Sequence, residues 1–263
     1  MSLMWFVDKF YNKKPTVRWW ISRIMFGNRN TKVNLFDLKI NIHTIKESGY
    51  LRASNMCRKG SLLRDEVSIL LNLSALLKDG DSFVDIGANV GIFSSVLSRY
   101  KKVFENLRVY SFEANPDTYK RLNRNAERYE FESFNCAISD QEGELEFVYG
   151  TASHVFTTME NSSKYHYKDR SIRVSCKRLD QFNFDGDSLI LKIDVEGQEL
   201  NVLRGAKSLF DEKRIKAVYL DGFSEKNKVL DFLKSYDFTL LNGRSLAPTD
   251  GNTFSLLAVA ENI

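Results

Sequence analysis

The apolar positions of this chain change period along its length, and the changes mark out its elements. Val17, Trp20, Ile21 and Ile24 recur at i, i+3, i+4 and i+7, one face of a helix. Pro15 precedes them, so the apolar and basic run 4–26 is expected to break there into two short helices. Residues 33–45 alternate loosely, as strands or a hairpin do. Ile69, Leu70, Leu73, Leu76 and Leu77 restore helical spacing over 65–77, and "KDGD" ends it. Strands and helices then alternate. "SFVDIG", "RVYSFEANP", "FESFNCAIS", "SLILKIDV" and "IKAVYLDG" read as strands. "VGIFSSVLSRY", "DTYKRLNRNAERY", "QELNVLRGAKSLF" and "SEKNKVLDFLKSY" read as helices. "GELEFVYG" and "SIRVSCKRL" are further extended segments, and "FTLLNG" with "FSLLAVAE" reads as a closing antiparallel pair. This order predicts an α/β fold with a mostly parallel sheet and helices on both faces. Such sheets bind ligands at the carboxyl ends of their strands, near the point where strand order reverses.

Charge divides the chain where the pattern changes. Residues 1–60 carry 12 Lys/Arg against 3 Asp/Glu, while 61–263 carry 26 against 31. A basic, aromatic extension over 1–62 and a mildly acidic domain over 63–263 are therefore expected. The 43% hydrophobic content suffices for a sizeable core, and no run reaches the roughly 18 apolar residues of a membrane span. The first residues lack the order of a signal peptide. Cys57, Cys136 and Cys176 are widely spaced and form no CxxC, which argues against a disulfide or zinc framework. A cytoplasmic protein is the expectation.

The polar clusters fall at predicted strand ends. Asp85-Ile86-Gly87-Ala88-Asn89-Val90-Gly91 follows an apolar strand and opens a helix. Its glycines permit a tight turn and a close backbone approach to a ligand. The spacing is G-x-x-x-G, neither the dinucleotide G-x-G-x-x-G nor a P-loop. Glu113 ends the next strand, where a carboxylate suits the hydroxyls of a ribose. In "LILKIDVEGQEL", Asp194, Glu196 and Glu199 crowd the end of an apolar run, and Lys192 lies within it. Glu199 reads as a helix-start acid meeting the helix dipole.

"DIGANVG", "FEANP", "AISDQEGELEF" and "LKIDVEGQELNVLRGA" together are similar to the FkbM family of methyltransferases, over about Val84–Ala206. The resemblance implies a Rossmann-like class I methyltransferase fold with a seven-stranded, mostly parallel sheet and an antiparallel closing strand. It implies S-adenosyl-L-methionine (SAM) as cofactor and O-methylation of a small molecule or glycan, such as a sugar or natural product. It places the methionine moiety near Asp85, Gly87, Asn89 and Gly91, and the ribose at Glu113 with Asn115 beside it. Ala137, Ile138 and Asp140 would frame the adenine. Ala114 stands where many relatives have proline, but Glu113 and Pro116 keep their places.

Methyl transfer to an alcohol needs alignment and removal of a proton. Asp194 is the first candidate base and Glu196 the second. His154, in the polar stretch "GTASHVFTTMENSSKYHYKD", is another, with His166, Tyr165 and Tyr167 nearby. Alternatively, carboxylates hold Mg²⁺ or Ca²⁺, with Asp194 and Asp221 as the ligands. For the head, packing on the body, where it helps cap the active site and supports a homodimer, is one expectation. Peripheral membrane contact through residues 4–26 is another. Two other functions are carried alongside: a nucleic-acid methyltransferase, and a SAM-binding module without catalysis. Against the first, the chain has no Asn/Asp-Pro-Pro-aromatic or Pro-Cys motif, and its positive charge is confined to the head.

Overall fold

The computed structural model describes residues 15–55, 61–149, 156–158 and 171–261. His154, His166, Tyr165, Tyr167 and the aromatics before Pro15 lie outside the described residues.

Helix α1 (Pro15–Phe26) starts at the proline, whose missing N–H costs nothing in a first turn. Trp20 and Ile24, part of the expected apolar stripe, face solvent together with Met25, while Ser22 is buried. The alternating segment forms an antiparallel hairpin, β1 (Asn30–Leu35) and β2 (Leu38–His43), followed by α2 (Ser48–Asn55) and α3 (Ser61–Leu76). The hairpin is not a separate body. Val33, Ile40, Ile42 and Leu51 share a core with Val90 and Ile92 of the domain behind them.

That domain contains β3 (Asp81–Ile86), α4 (Ile92–Leu97), β4 (Arg108–Phe112), α5 (Pro116–Tyr129), β5 (Glu132–Phe134), β6 (Ala137–Ile138), β7 (Gly143–Tyr149), β8 (Phe156–Thr158) and β9 (Ser171–Lys177). It continues through β10 (Ser188–Ile193), α6 (Glu199–Gly205), α7 (Lys207–Asp211), β11 (Ile215–Asp221), α8 (Lys226–Lys234), β12 (Phe238–Asn242) and β13 (Ser255–Ala260). The main sheet runs β12-β13-β11-β10-β3-β4-β5. Its ladders from β5 to β11 are parallel, and β13 runs antiparallel to both β11 and β12. The Rossmann-like sheet and its antiparallel closing strand are thus present. The chain winds from β3 to one side and returns to the other at β10, so the switch point falls between β3 and β10.

Two local expectations resolve differently. "FESFNCAIS" is two strands, with β5 in the main sheet and β6 in a second sheet of order β6-β9-β7-β8. Asn135 pins the bend between them, its Nδ2 donating to the Glu113 carbonyl at 2.8 Å. "QELNVLRGAKSLF" is two short helices that part at Ala206. A Cβ on Gly205 would lie 2.0 Å from the Ser139 carbonyl oxygen, so only glycine lets α6 rest against that turn.

Candidate active site

The loops after β3 and β10 meet at the switch point, backbone against backbone. Gly87 has φ +75°. A Cβ there would lie 2.0 Å from the Asp194 carbonyl oxygen, and neither loop can yield without shifting the other. Gly87→Ala is therefore expected to lower stability by about 3 kcal/mol or more, read by denaturant unfolding. An unchanged midpoint would contradict this close packing.

A cleft of about 1030 Å³, its open mouth included, runs along the strand ends. Gly87, Asn89 and Glu113 line it on one side. Glu113 is held by both flanking loops: Oε2 accepts from the Asn89 N–H at 2.9 Å and Oε1 from the Asn115 N–H at 2.8 Å. Burial pushes its carboxyl up to about 7, and Glu47 and Asp194 add to the rise against those two hydrogen bonds. Ala137 and Ile138 line the far end, under Leu145 and Phe147 of β7.

Four residues of the expected binding set do not line the cleft. Asp85 is fully buried, with Oδ1 3.0 Å from Lys192 Nζ and Oδ2 accepting from Ser94 Oγ at 2.7 Å. Gly91 packs where a Cβ would come within 2.5 Å of Leu122 Cδ1. Asn115 caps α5, its side chain accepting from the Asp117 and Thr118 N–H groups. Asp140 takes a hydrogen bond from Ser139 Oγ at 3.2 Å beside the turn. These residues hold the walls.

Of the acids after β10, Asp194 and Glu196 line the cleft. Glu199 is buried and does not: Oε1 accepts from the Gly197 N–H, and Oε2 from the Ser224 N–H and Oγ. It ties the Asp194 loop to the loop after β11. Asp194 is 45% exposed at the cleft, 3.7 Å from Lys192 Nζ. The surrounding protein still disfavours its charge. Although the side chain opens on the cleft, the protein around it displaces bulk water and raises the carboxyl; Lys192 opposes the rise, and Asp221, Asp85 and Glu196 add to it. Burial also opposes the charge on Lys192, but the Asp85 and Asp194 carboxylates outweigh it and its pKa is raised. The ammonium lies 5.0 Å from the centre of the Phe93 ring.

Asp221 does not line the cleft, and its Oδ1 accepts from the Tyr219 hydroxyl at 3.1 Å. No group of three or more His, Cys, Asp or Glu able to hold a metal ion occurs among the described residues. An ammonium already faces Asp194. The described donors therefore do not fit the Mg²⁺ or Ca²⁺ expected at Asp194 and Asp221.

Sequence reasoning missed Tyr50, which α2 carries into the cleft from the basic extension. Burial raises its pKa, with Asp194, Glu66 and Glu47 adding to the rise. The extension is anchored by a buried Arg121–Glu47 ion pair at 2.9 Å. Asn125 links it to the glycine loop, accepting from the Asn41 N–H at 2.8 Å and donating to the Val90 carbonyl at 2.8 Å. No local pattern marks Tyr50, since its role depends on packing across the chain. Lys192 does carry a signal: a charge inside an apolar strand run.

The strand order and the two facing loops define a Rossmann-like α/β domain. The chain belongs to the methyltransferase FkbM domain family, which matches residues 85–240, more than half its length. Among curated relatives, hexuronic acid methyltransferase AglP of Haloferax volcanii is 26% identical over 152 residues, 54% of this chain and 57% of that protein. Methyltransferase 1 of Beauveria bassiana is 25% identical over 154 residues, 48% of this chain and 58% of that one. The chain thus spans somewhat over half the length of the curated relatives it matches. A crystal structure of methyltransferase FkbM from Methylobacillus flagellatus aligns with TM-score 0.47 at 18% identity, covering 73% of this chain and 47% of that one.

Proposed function

We propose that this protein is a SAM-dependent O-methyltransferase acting on a hydroxyl of a sugar or another small hydroxylated molecule. The observation that carries this reading is Asp194. It sits at the tip of the central strand, in the cleft that Glu113 shares, 3.7 Å from Lys192 Nζ, with its carboxyl held above the usual carboxylate range. The hexuronic acid methyltransferase at 26% identity supports a sugar acceptor.

The cleft fits SAM. In this reading the Glu113 carboxylate, fixed by the Asn89 and Asn115 N–H groups at the cleft wall, accepts from the hydroxyls of a ribose. Asn89 Oδ1 is buried with no hydrogen-bond partner, an acceptor that a ligand's ammonium group would satisfy. Ala137 and Ile138 offer an apolar wall to an adenine ring. When bound, SAM supplies a methyl group on a positively charged sulfur.

The protein's own task is to bring the acceptor oxygen into line and to take its proton. Alignment alone removes a large part of such a barrier. Asp194 accepts the hydroxyl proton as general base, and a base near neutral pKa suits that role. Lys192 holds the Asp194 carboxylate in place and remains charged while it titrates. Titration of the full chain by calorimetry tests the cofactor: SAM should bind and NAD should not. Binding of NAD without SAM would overturn the reading.

A further inference from the structure

The amino-acid end of SAM carries a carboxylate beside its ammonium. Inside a cleft that carboxylate needs a hydrogen-bond donor. The glycine loop has already spent its own. The Gly87 and Ala88 N–H groups both donate to the Phe112 carbonyl, at 3.0 and 2.9 Å, and the Asn89 N–H donates to Glu113. The Asp194 N–H donates to the Ile86 carbonyl at 3.0 Å. Lys192 Nζ stands 3.0 Å from Asp85 Oδ1 and 3.7 Å from Asp194 Oδ2. The hydroxyls that line the cleft, among the described residues, are those of Ser139 and Tyr50. Ser139 Oγ donates to Asp140 Oδ1, at the end where Ala137 and Ile138 lie.

Tyr50 stands at the glycine-loop end. Its side chain packs against the cluster that contains Val90 and Ile92, the residues on either side of Gly91. Asn89, Ile92 and Asp194 line the cleft with it. Its position is fixed through Glu47, whose carbonyl accepts from the Tyr50 and Leu51 N–H groups at 3.1 and 3.4 Å. The Glu47 side chain is held in turn by Arg121 at 2.9 Å and by the His43 N–H. The Tyr50 hydroxyl makes no hydrogen bond among the described residues. Burial and the carboxylates around it keep the phenol protonated, so it is a neutral donor at working pH. Residue 50 also lies outside the span 85–240 that matches the family, so this donor comes from the basic extension and not from the matched domain.

We propose that Tyr50 completes the cofactor site from the basic extension, its hydroxyl donating to the carboxylate at the amino-acid end of SAM. This inference rests on the SAM reading above and gives the extension a part in it. With the ammonium at Asn89 Oδ1 and the carboxylate at Tyr50, both groups on that end of the ligand are held.

The probes are S-adenosyl-L-homocysteine and its decarboxylated analogue, which keeps the ammonium and lacks only the carboxylate. Each is titrated by calorimetry into the full native chain and into Tyr50→Phe, a change that removes the hydroxyl and keeps the ring. Tyr50→Phe should weaken S-adenosyl-L-homocysteine about tenfold or more, the scale of one hydrogen bond to a charged group. The affinity of the analogue should stay unchanged, which also shows that the variant folds. Equal weakening of both probes, or of neither, would overturn the contact. So would a native chain that binds the analogue as tightly as S-adenosyl-L-homocysteine. Failure of the native chain to bind S-adenosyl-L-homocysteine at all would instead overturn the SAM reading, and the contact with it.

Discussion

Replacing Asp194 by Asn is expected to lower kcat about 10²–10⁴-fold, the usual worth of a positioned general base, and to leave SAM affinity within a few-fold. The substitution keeps the side chain's size and its place at the cleft but removes the group that accepts the proton. Lys192 does not lose its only counter-ion, because Asp85 Oδ1 stays 3.0 Å away. The β10 end should therefore hold its shape. The pH profile separates a base from a structural residue. The Asp194 carboxyl is pushed up to about 7, so the native enzyme should gain activity as pH rises through that value and then level off. The Asn variant should lack this limb. Full turnover in Asp194→Asn would remove Asp194 as base, and Glu196, the other acid lining the cleft, would be the next to test.

Glu113→Ala is expected to weaken SAM binding by about 10²–10⁴-fold, from two hydrogen bonds to a charged group at roughly 1.5–3 kcal/mol each. Calorimetry reads this directly, and native affinity in the variant would detach Glu113 from the cofactor. The same residue should leave a mark on stability in the absence of ligand. Its carboxyl is raised from 4.5 to about 7 in the folded protein. Between those values the folded state retains a proton that the unfolded chain has released. Its stabilising contribution is therefore full below about pH 4.5 and is lost as pH rises to about 7. Asp194 acts with the same sign. In Glu113→Gln, the fall of Tm across this window should be shallower than in the native chain. An identical slope would show that Glu113 does not carry the raised carboxyl.

Particular residues show which parts of this were legible in advance. Gly87 is readable because a positive φ between a strand and a helix is a local demand that glycine meets. Glu113 is readable because the second strand of an alternating α/β unit delivers its last residue beside the first loop. Glu199 is readable as structural, since an acid at a helix start has a local electrostatic reason to be there. Its bonds to Gly197 and Ser224 bear that out and add a partner from the next loop. Asp85 and Asp140 carry no such local mark. Both are acids near strand ends, and whether they face the cleft or a buried partner depends on neighbours distant in sequence. Lys192 and Ser94 claim Asp85, and Ser139 bonds Asp140 beside its turn.

The sequence alone determined the alternation of elements, the glycine turn and the strands whose ends carry the acids. Each follows from hydrophobic period or from the dihedral freedom of single residues, and these are short-range properties. Only the tertiary structure decided which acids face the cleft and that Tyr50 of the basic extension enters it. It also set the ionisation of Asp194, since a carboxyl's pKa depends on burial and on the charges packed around it. Here those are Lys192, Asp221, Asp85 and Glu196, brought together from three different strands and the loop between them.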